Sequence, residues 1–218
     1  MKNLNLVLTI IISTLFLLGC ASNLPISSSL NDFVMMGINV NSSDGVRFIY
    51  ESKITDGSIK PYTKDKQGVV TSPSGYIHTE SSTLEKMLNE YFENKFTKLN
   101  QGNNVVIKVI LDDFWIEEYS PESTGKILLK AFAGGETIIN CVAKVKVLVI
   151  VNKNGEEYRR IINASSEDHF VQGIGTGTST SNIYRGKESI EFIHARNINK
   201  ANNKVIMMLN SYLEELGL

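Results

Sequence analysis

Cysteine, proline, histidine and tryptophan are all scarce in this chain. Its 218 residues hold two cysteines, four prolines, three histidines and one tryptophan. Two cysteines cannot build a disulfide scaffold or a four-cysteine zinc site. So little proline, beside 42% hydrophobic and 21% charged residues, excludes a disordered chain. An excess of one charge is missing as well: 22 basic against 23 acidic residues leave a net −1. Nucleic-acid binding needs a concentrated positive surface, so that class is set aside. A long charge-free apolar run occurs only at the extreme N-terminus.

That run reads as an export signal. Lys2 supplies the positive start, and Leu4 to Leu18 is a charge-free stretch of 15 residues. Spanning a hydrocarbon core of roughly 30 Å takes about 20 helical residues, so it is short for a permanent span. No stop-transfer flank follows it. It ends in Leu17-Leu18-Gly19-Cys20, which resembles the bacterial lipobox. There a small residue precedes the cut, and the cysteine thiol takes a diacylglycerol and becomes residue one. Leu17, Leu18 and Gly19 are therefore expected to be read by the signal peptidase, and Cys20 to carry diacylglycerol and an N-acyl chain. Ala21 stands where an Asp implies inner-membrane retention in enterobacterial lipoproteins, so the resemblance implies the outer membrane. Residues 1–19 form the signal, 20–33 (Ser/Asn-rich) a flexible tether, and 34–218 the periplasm-facing domain.

Within the domain, Val34 to Val40 reads as a first strand and Val46 to Tyr50 as a second that pairs with it. Residues 51–75 read as a long loop with a short hairpin near Val69-Val70. Ser82-Thr-Leu-Glu85 fits a capping box, and Leu84, Met87, Leu88, Tyr91, Phe92, Phe96 and Leu99 give one apolar stripe up to Gly102. Strands are expected at Val105 to Ile116, Lys126 to Ala133 and Glu136 to Asn152. The last alternates strictly from Ile139 to Val151, as one covered sheet face requires. Asn152-Lys-Asn-Gly155 is a hairpin turn, returning through Glu156 to Ser166. Residues 171–186 read as a Gly/Thr/Ser loop. Ile190 to Leu216 keeps helical period, with a kink expected at Asn197, Asn199, Asn202 and Asn203. The expected fold class is α+β: a single domain with an antiparallel sheet and two helices packed on one face.

Few residues invite chemistry. Cys141 lies on the apolar side of its strand and reads as a small buried hydrophobe, since a catalytic thiolate wants a basic neighbour and exposure. Glu191-Phe-Ile-His194 has the spacing of two metal ligands on a helix, but a di-iron site needs two such motifs. Glu167-Asp168-His169 reads as solvated, and His78 stands alone. Gly173-Ile-Gly175-Thr-Gly177 lacks the lysine and the upstream glycine of a phosphate loop. Asp112-Asp113 and Glu117-Glu118 flank Phe114-Trp115-Ile116; adjacent acids on a strand point to opposite faces, which argues against a glycosidase pair. No catalytic, cofactor or metal residue is therefore assigned.

The element pattern resembles the YajG-type family of outer-membrane lipoproteins. It rests on the lipobox, Gly37-Ile-Asn-Val40 with Asp44-x-x-Arg47, and the helix Leu84-x-x-Met87-Leu88-x-x-Tyr91-Phe92. The Val105-to-Ile116 strand, the Asn154-Gly155 turn, Tyr158, and Asn197-Ile-Asn199-Lys200-Ala201 with Leu209 complete it. The loops at 51–75 and 171–186 depart from that pattern. The resemblance implies a non-enzymatic envelope protein that binds the membrane through its anchor and a protein partner in the envelope. Two alternatives stand beside it: an accessory lipoprotein of an envelope-assembly or lipid-transport complex, and a peptidoglycan-active enzyme.

Overall fold

The computed structural model describes residues 22–23, 29–41, 45–54, 57–59, 62–64, 70–73, 77–79, 82–102, 104–173 and 190–218. The export signal, Leu17, Leu18, Gly19 and Cys20 lie outside the described residues, as do Val69 and most of the Gly/Thr/Ser loop.

Three long strands make the centre: β7 (Val105–Tyr119), β8 (Glu136–Lys153) and β9 (Glu156–Gly173). They are antiparallel, with Val105 opposite Lys153 and Lys153 opposite Glu156. The β8–β9 turn sets Asn154 at φ 55° and Gly155 at φ 85°. Asn-Gly meets that demand because both residues tolerate positive φ, and such a turn follows the twist of its strands. β9 runs seven residues beyond the expected Ser166.

The other edge of β7 is shared by two short strands. β2 (Val46–Ser52) pairs parallel with Val105–Leu111, and β4 (Tyr62–Lys64) pairs parallel with Glu117–Tyr119. The sheet is therefore mixed rather than antiparallel. The region expected to be a loop also holds β3 (Gly57–Ile59) and β5 (Val70–Pro73), and β6 (Ile77–Thr79) follows it. β5 pairs with β4, while β6 pairs with β3 and, in parallel, with β1 (Ser22–Asn23).

Two expected strands are helices. α1 (Asp32–Met36) replaces the strand expected from Val34. Asn31 caps it by accepting from the Val34 N–H at 2.8 Å, and Gly37 ends it. The expected 20–33 tether thus contributes β1, and Leu30 is buried in the core. α3 (Thr124–Ala133) replaces the strand expected from Lys126. The Ile127 N–H donates to the Ser123 carbonyl, and Gly134 at φ 67° stops the helix. Thr-Gly-Lys-Ile-Leu-Leu-Lys-Ala-Phe has no period of two, so nothing holds it in a strand.

The two large helices cover one sheet face, as expected. α2 (Ser82–Lys95) begins where the sequence placed it but stops at Lys95; Phe96 and Leu99 then bridge to Asn41 and Val46. α4 (Ile190–Glu215) is one continuous helix. Its asparagines are retained by tertiary bonds instead of breaking it: Asn203 accepts from the Asn31 N–H, and Asn197 donates to the Cys141 carbonyl. The core lies between these helices and the inward residues of β7–β9, with Phe92 stacked on Phe48 at 4.1 Å between centroids. The α+β, single-domain class holds.

A bulge in β7 decides which residues face that core. Leu111 pairs with Val147 and Asp113 with Lys146, leaving Asp112 extra. A one-residue insertion reverses every later side chain. Before it, Ile107, Val109 and Leu111 point inward; after it, Phe114, Ile116 and Glu118 do so.

Candidate functional site

The bulge sends Glu118 into the interior beneath the first turns of α4. There His194 Nε2 lies 2.7 Å from Glu118 Oε1, and both side chains are only 3% exposed. Phe170 meets the imidazole edge-on. One turn further along α4, Asn197 Nδ2 donates to the Cys141 carbonyl at 2.6 Å and reaches the Cys141 Sγ at 3.6 Å. Burial pushes the Cys141 thiol up to about 12, so it is protonated and unreactive at neutral pH. Cys141 is the buried residue the alternation implied. Of the adjacent acids Glu117 and Glu118, it is Glu118 that faces the interior.

The acids read as two adjacent pairs fall into different settings. Glu117 stays on the open sheet face, 3.0 Å from Lys144, whose ammonium also lies 5.5 Å from the Trp115 ring centroid. Asp112 accepts from Lys146 and Lys53, which together hold its carboxyl down at about 2. Glu117 and Glu118 cannot cooperate on one substrate, because a strand sends them to opposite faces.

On its outer side, α4 borders a cleft of about 420 Å³ formed with the segment before α1. Leu30, Asn31, Phe192, Arg196, Lys200 and Asn203 line it. Its cations are already engaged. Arg196 donates to Asp168 from Nε at 2.9 Å and from Nη2 at 2.8 Å, with Lys200 at 3.5 Å. Burial raises the Asp168 pKa, but the His169 N–H, Arg196 and Lys200 outweigh it and leave the carboxyl below its usual range. Asp168 is thus a paired acid, not part of a cation site with Glu167 and His169. Tyr119 Oη donates to Glu167 instead. Among the described residues no group of three His, Cys, Asp or Glu could hold a metal ion.

α3 is fastened to this same end by a polar chain. Lys130 donates to both Glu122 oxygens, at 2.6 and 2.8 Å, Thr137 Oγ1 donates to Glu122 at 2.9 Å, and Thr137 and Ser120 share a buried contact of 3.3 Å. The Lys130 and Thr137 bonds keep the Glu122 carboxyl below its usual range. Beyond that fastening, Leu128, Leu129 and Phe132 are 55%, 72% and 78% exposed.

Two solved structures are similar to the chain in outline. One is described as an uncharacterized protein, at TM-score 0.41 and 7% identity, covering 88% of this chain and 97% of that one. The other is the rare lipoprotein B from Shewanella oneidensis, at TM-score 0.43 and 11% identity, covering 79% of this chain and 99% of that one. No protein-family model and no curated protein matches the chain. The YajG-type resemblance therefore remains one of element pattern, and its Gly37-to-Val40 first strand is replaced by α1 and the residues after it.

The sequence missed the Glu118–His194 pair because its partners are 76 positions apart and the bulge at Asp112 had reversed the facing of Glu118. Asn197 did leave a signal: an asparagine on the apolar stripe of a helix needs a buried partner. The bare apolar edge of α3 was hidden by its assignment to a strand.

Proposed function

We propose that the chain is a lipid-anchored lipoprotein of the bacterial cell envelope, held at the outer membrane and facing the periplasm, that acts by binding rather than by catalysis. The observation that carries this reading is Leu17-Leu18-Gly19-Cys20 at the end of a 15-residue apolar run behind Lys2. Each buried CH₂ contributes roughly 0.8 kcal/mol, so diacylglycerol with an N-acyl chain anchors a protein stably.

The geometry supports the binding half of the proposal. The groups that resemble catalysts are sealed or neutralised: Cys141 is a buried neutral thiol, and Glu118 and His194 are closed against each other. Among the described residues, surfaces open to a partner include the α4 cleft and the apolar edge of α3. The partner on this reading is an envelope protein, with the covalent acyl chains the only added group.

Palmitate labelling of cells expressing the full chain, with mass analysis of its N-terminal peptide, tests the anchor. Acylation at Cys20 that disappears in Cys20→Ser is expected; an unmodified N-terminus overturns the reading. Turnover of muropeptides by the purified protein would overturn the non-catalytic half.

A further inference from the structure

The residues next to Cys20 are tied to one particular end of a long sheet. Ser22 pairs with Ile77, which pairs with Ile59. Three positions later Tyr62 pairs with Glu117 near the end of β7. Counting strand spacings and the reach of three residues puts Ser22 within about 25 Å of Glu117. The opposite end of β7, beside the Asn154-Gly155 turn, is on the order of 40 Å further along. Ser22, two positions after Cys20 in the sequence, thus lies toward the end of the domain that carries α3.

α3 has the form of a helix built for an interface. Leu128, Leu129 and Phe132 share one face by their spacings of one, three and four, and all are exposed. Its opposite side is fastened to the domain through Lys130, Glu122 and Thr137. Lys126 stands at the border of the apolar face, where a lysine stem lies along acyl chains while its ammonium reaches headgroup phosphates. Apolar residues edged by a cation match an anionic bilayer surface, which offers both phases at one depth.

We propose that α3 docks the domain onto the anionic membrane surface, with Leu128, Leu129 and Phe132 entering the boundary between headgroups and acyl chains and Lys126 meeting the phosphates. The inference rests on the lipid-anchor reading for bringing the domain to the bilayer, and adds a second, non-covalent contact. Together they fix which end of the sheet faces the membrane and leave the Asn154-Gly155 end pointing into the periplasm.

The test uses the full chain carrying Trp115→Phe and Phe132→Trp, purified from bacterial membranes and reconstituted in phosphatidylglycerol and phosphatidylethanolamine vesicles with brominated acyl chains. Quenching of the indole on α3 is expected, with none when the indole is placed at Met207→Trp instead. Adding Leu128→Ser and Leu129→Ser should lower the quenched fraction at limiting lipid by at least ~10-fold. Lys126→Glu should weaken quenching in phosphatidylglycerol vesicles only. Acylated protein that stays with the vesicles while its α3 indole is unquenched overturns the proposal. So does an indole that becomes shielded without lipid as protein concentration rises, because a second copy would then cover the face. An N-terminal peptide without acyl chains, beside quenching by added vesicles, overturns the anchor reading and upholds this one.

Discussion

The two ends of the long sheet hold their buried polar groups in different ways. At the Asn154-Gly155 end, Asn210 of α4 accepts from Tyr91 at 2.9 Å and from the buried Lys95 at 3.0 Å, and donates to the Gly37 carbonyl and to Glu214. The α4 C-terminus is closed there by Lys153, which donates to the Leu216 carbonyl, and by Gly217 at φ 69°. Phe92, Phe96 and Phe48 fill the space below. At the other end Glu118 and His194 are buried side by side, while Leu128, Leu129 and Phe132 stand in solvent on one helix. The first end satisfies its polar groups within a network around Asn210, although Met36 and Val40 beside it stay exposed. The second gathers its exposed apolar residues on one helix, α3.

The contrast is broken most directly by exchanging what each end should lose. Phe92→Ala empties a buried, stacked position and should cost about 3–5 kcal/mol in denaturant unfolding. Replacing Leu128, Leu129 and Phe132 together by serine should change stability by less than ~0.5 kcal/mol each, since those side chains gain little from folding. Comparable losses from the two variants would end the distinction.

The sealed pair sharpens it next. His194→Leu sets an apolar side chain against the buried Glu118 and should cost about 1–3 kcal/mol. Glu118→Met with His194→Leu should recover most of that, because both buried polar groups are removed together. A double variant as unstable as the single one would show that the pair supplies net stability.

Alkaline titration gives a smaller effect. The Cys141 thiol is raised from 9.0 to about 12, so the unfolded chain loses this proton first. Its contribution to stability is whole below about pH 9 and is lost as pH rises toward 12. Tyr91, also raised by burial, acts in the same direction. Unfolding followed across that range should show the decline, and it should be shallower in Cys141→Ala. A thiol reagent at neutral pH should leave Cys141 unmodified until the protein unfolds. The smallest change expected is Arg160→Ala. Arg160 grips Glu215 at 3.0 and 2.6 Å, but both side chains are largely solvated, so a loss under ~1 kcal/mol should appear and shrink in high salt.

Legibility in the sequence followed locality. The alternation from Ile139 to Val151, the Asn154-Gly155 turn and the apolar stripes of α2 and α4 are local patterns, and each produced its element, though α2 stops at Lys95, short of Leu99. α3 was misread although its own signals were present: Ser123 and Thr124 ahead, Gly134 behind, and Ile127, Leu128 and Ala131 at helical spacing. Short apolar stretches fit either period, and α1, only five residues long, shows the same ambiguity. For Cys141 the strand pattern was enough, because burial follows from facing. For Glu118 it was not.

By itself the sequence determined the elements whose period repeats over many residues, and it marked Cys20 by a contiguous motif. Those properties depend on neighbours along the chain, where spacing alone sets which face a side chain takes. Only the tertiary structure decided that β2 and β4 join β7 in parallel, that one extra residue at Asp112 turns Glu118 inward to His194, and that α3 is left with its apolar side bare. Each of these depends on contacts between distant segments. A single-residue bulge reverses every side chain beyond it, and no local pattern records which way the strand has turned.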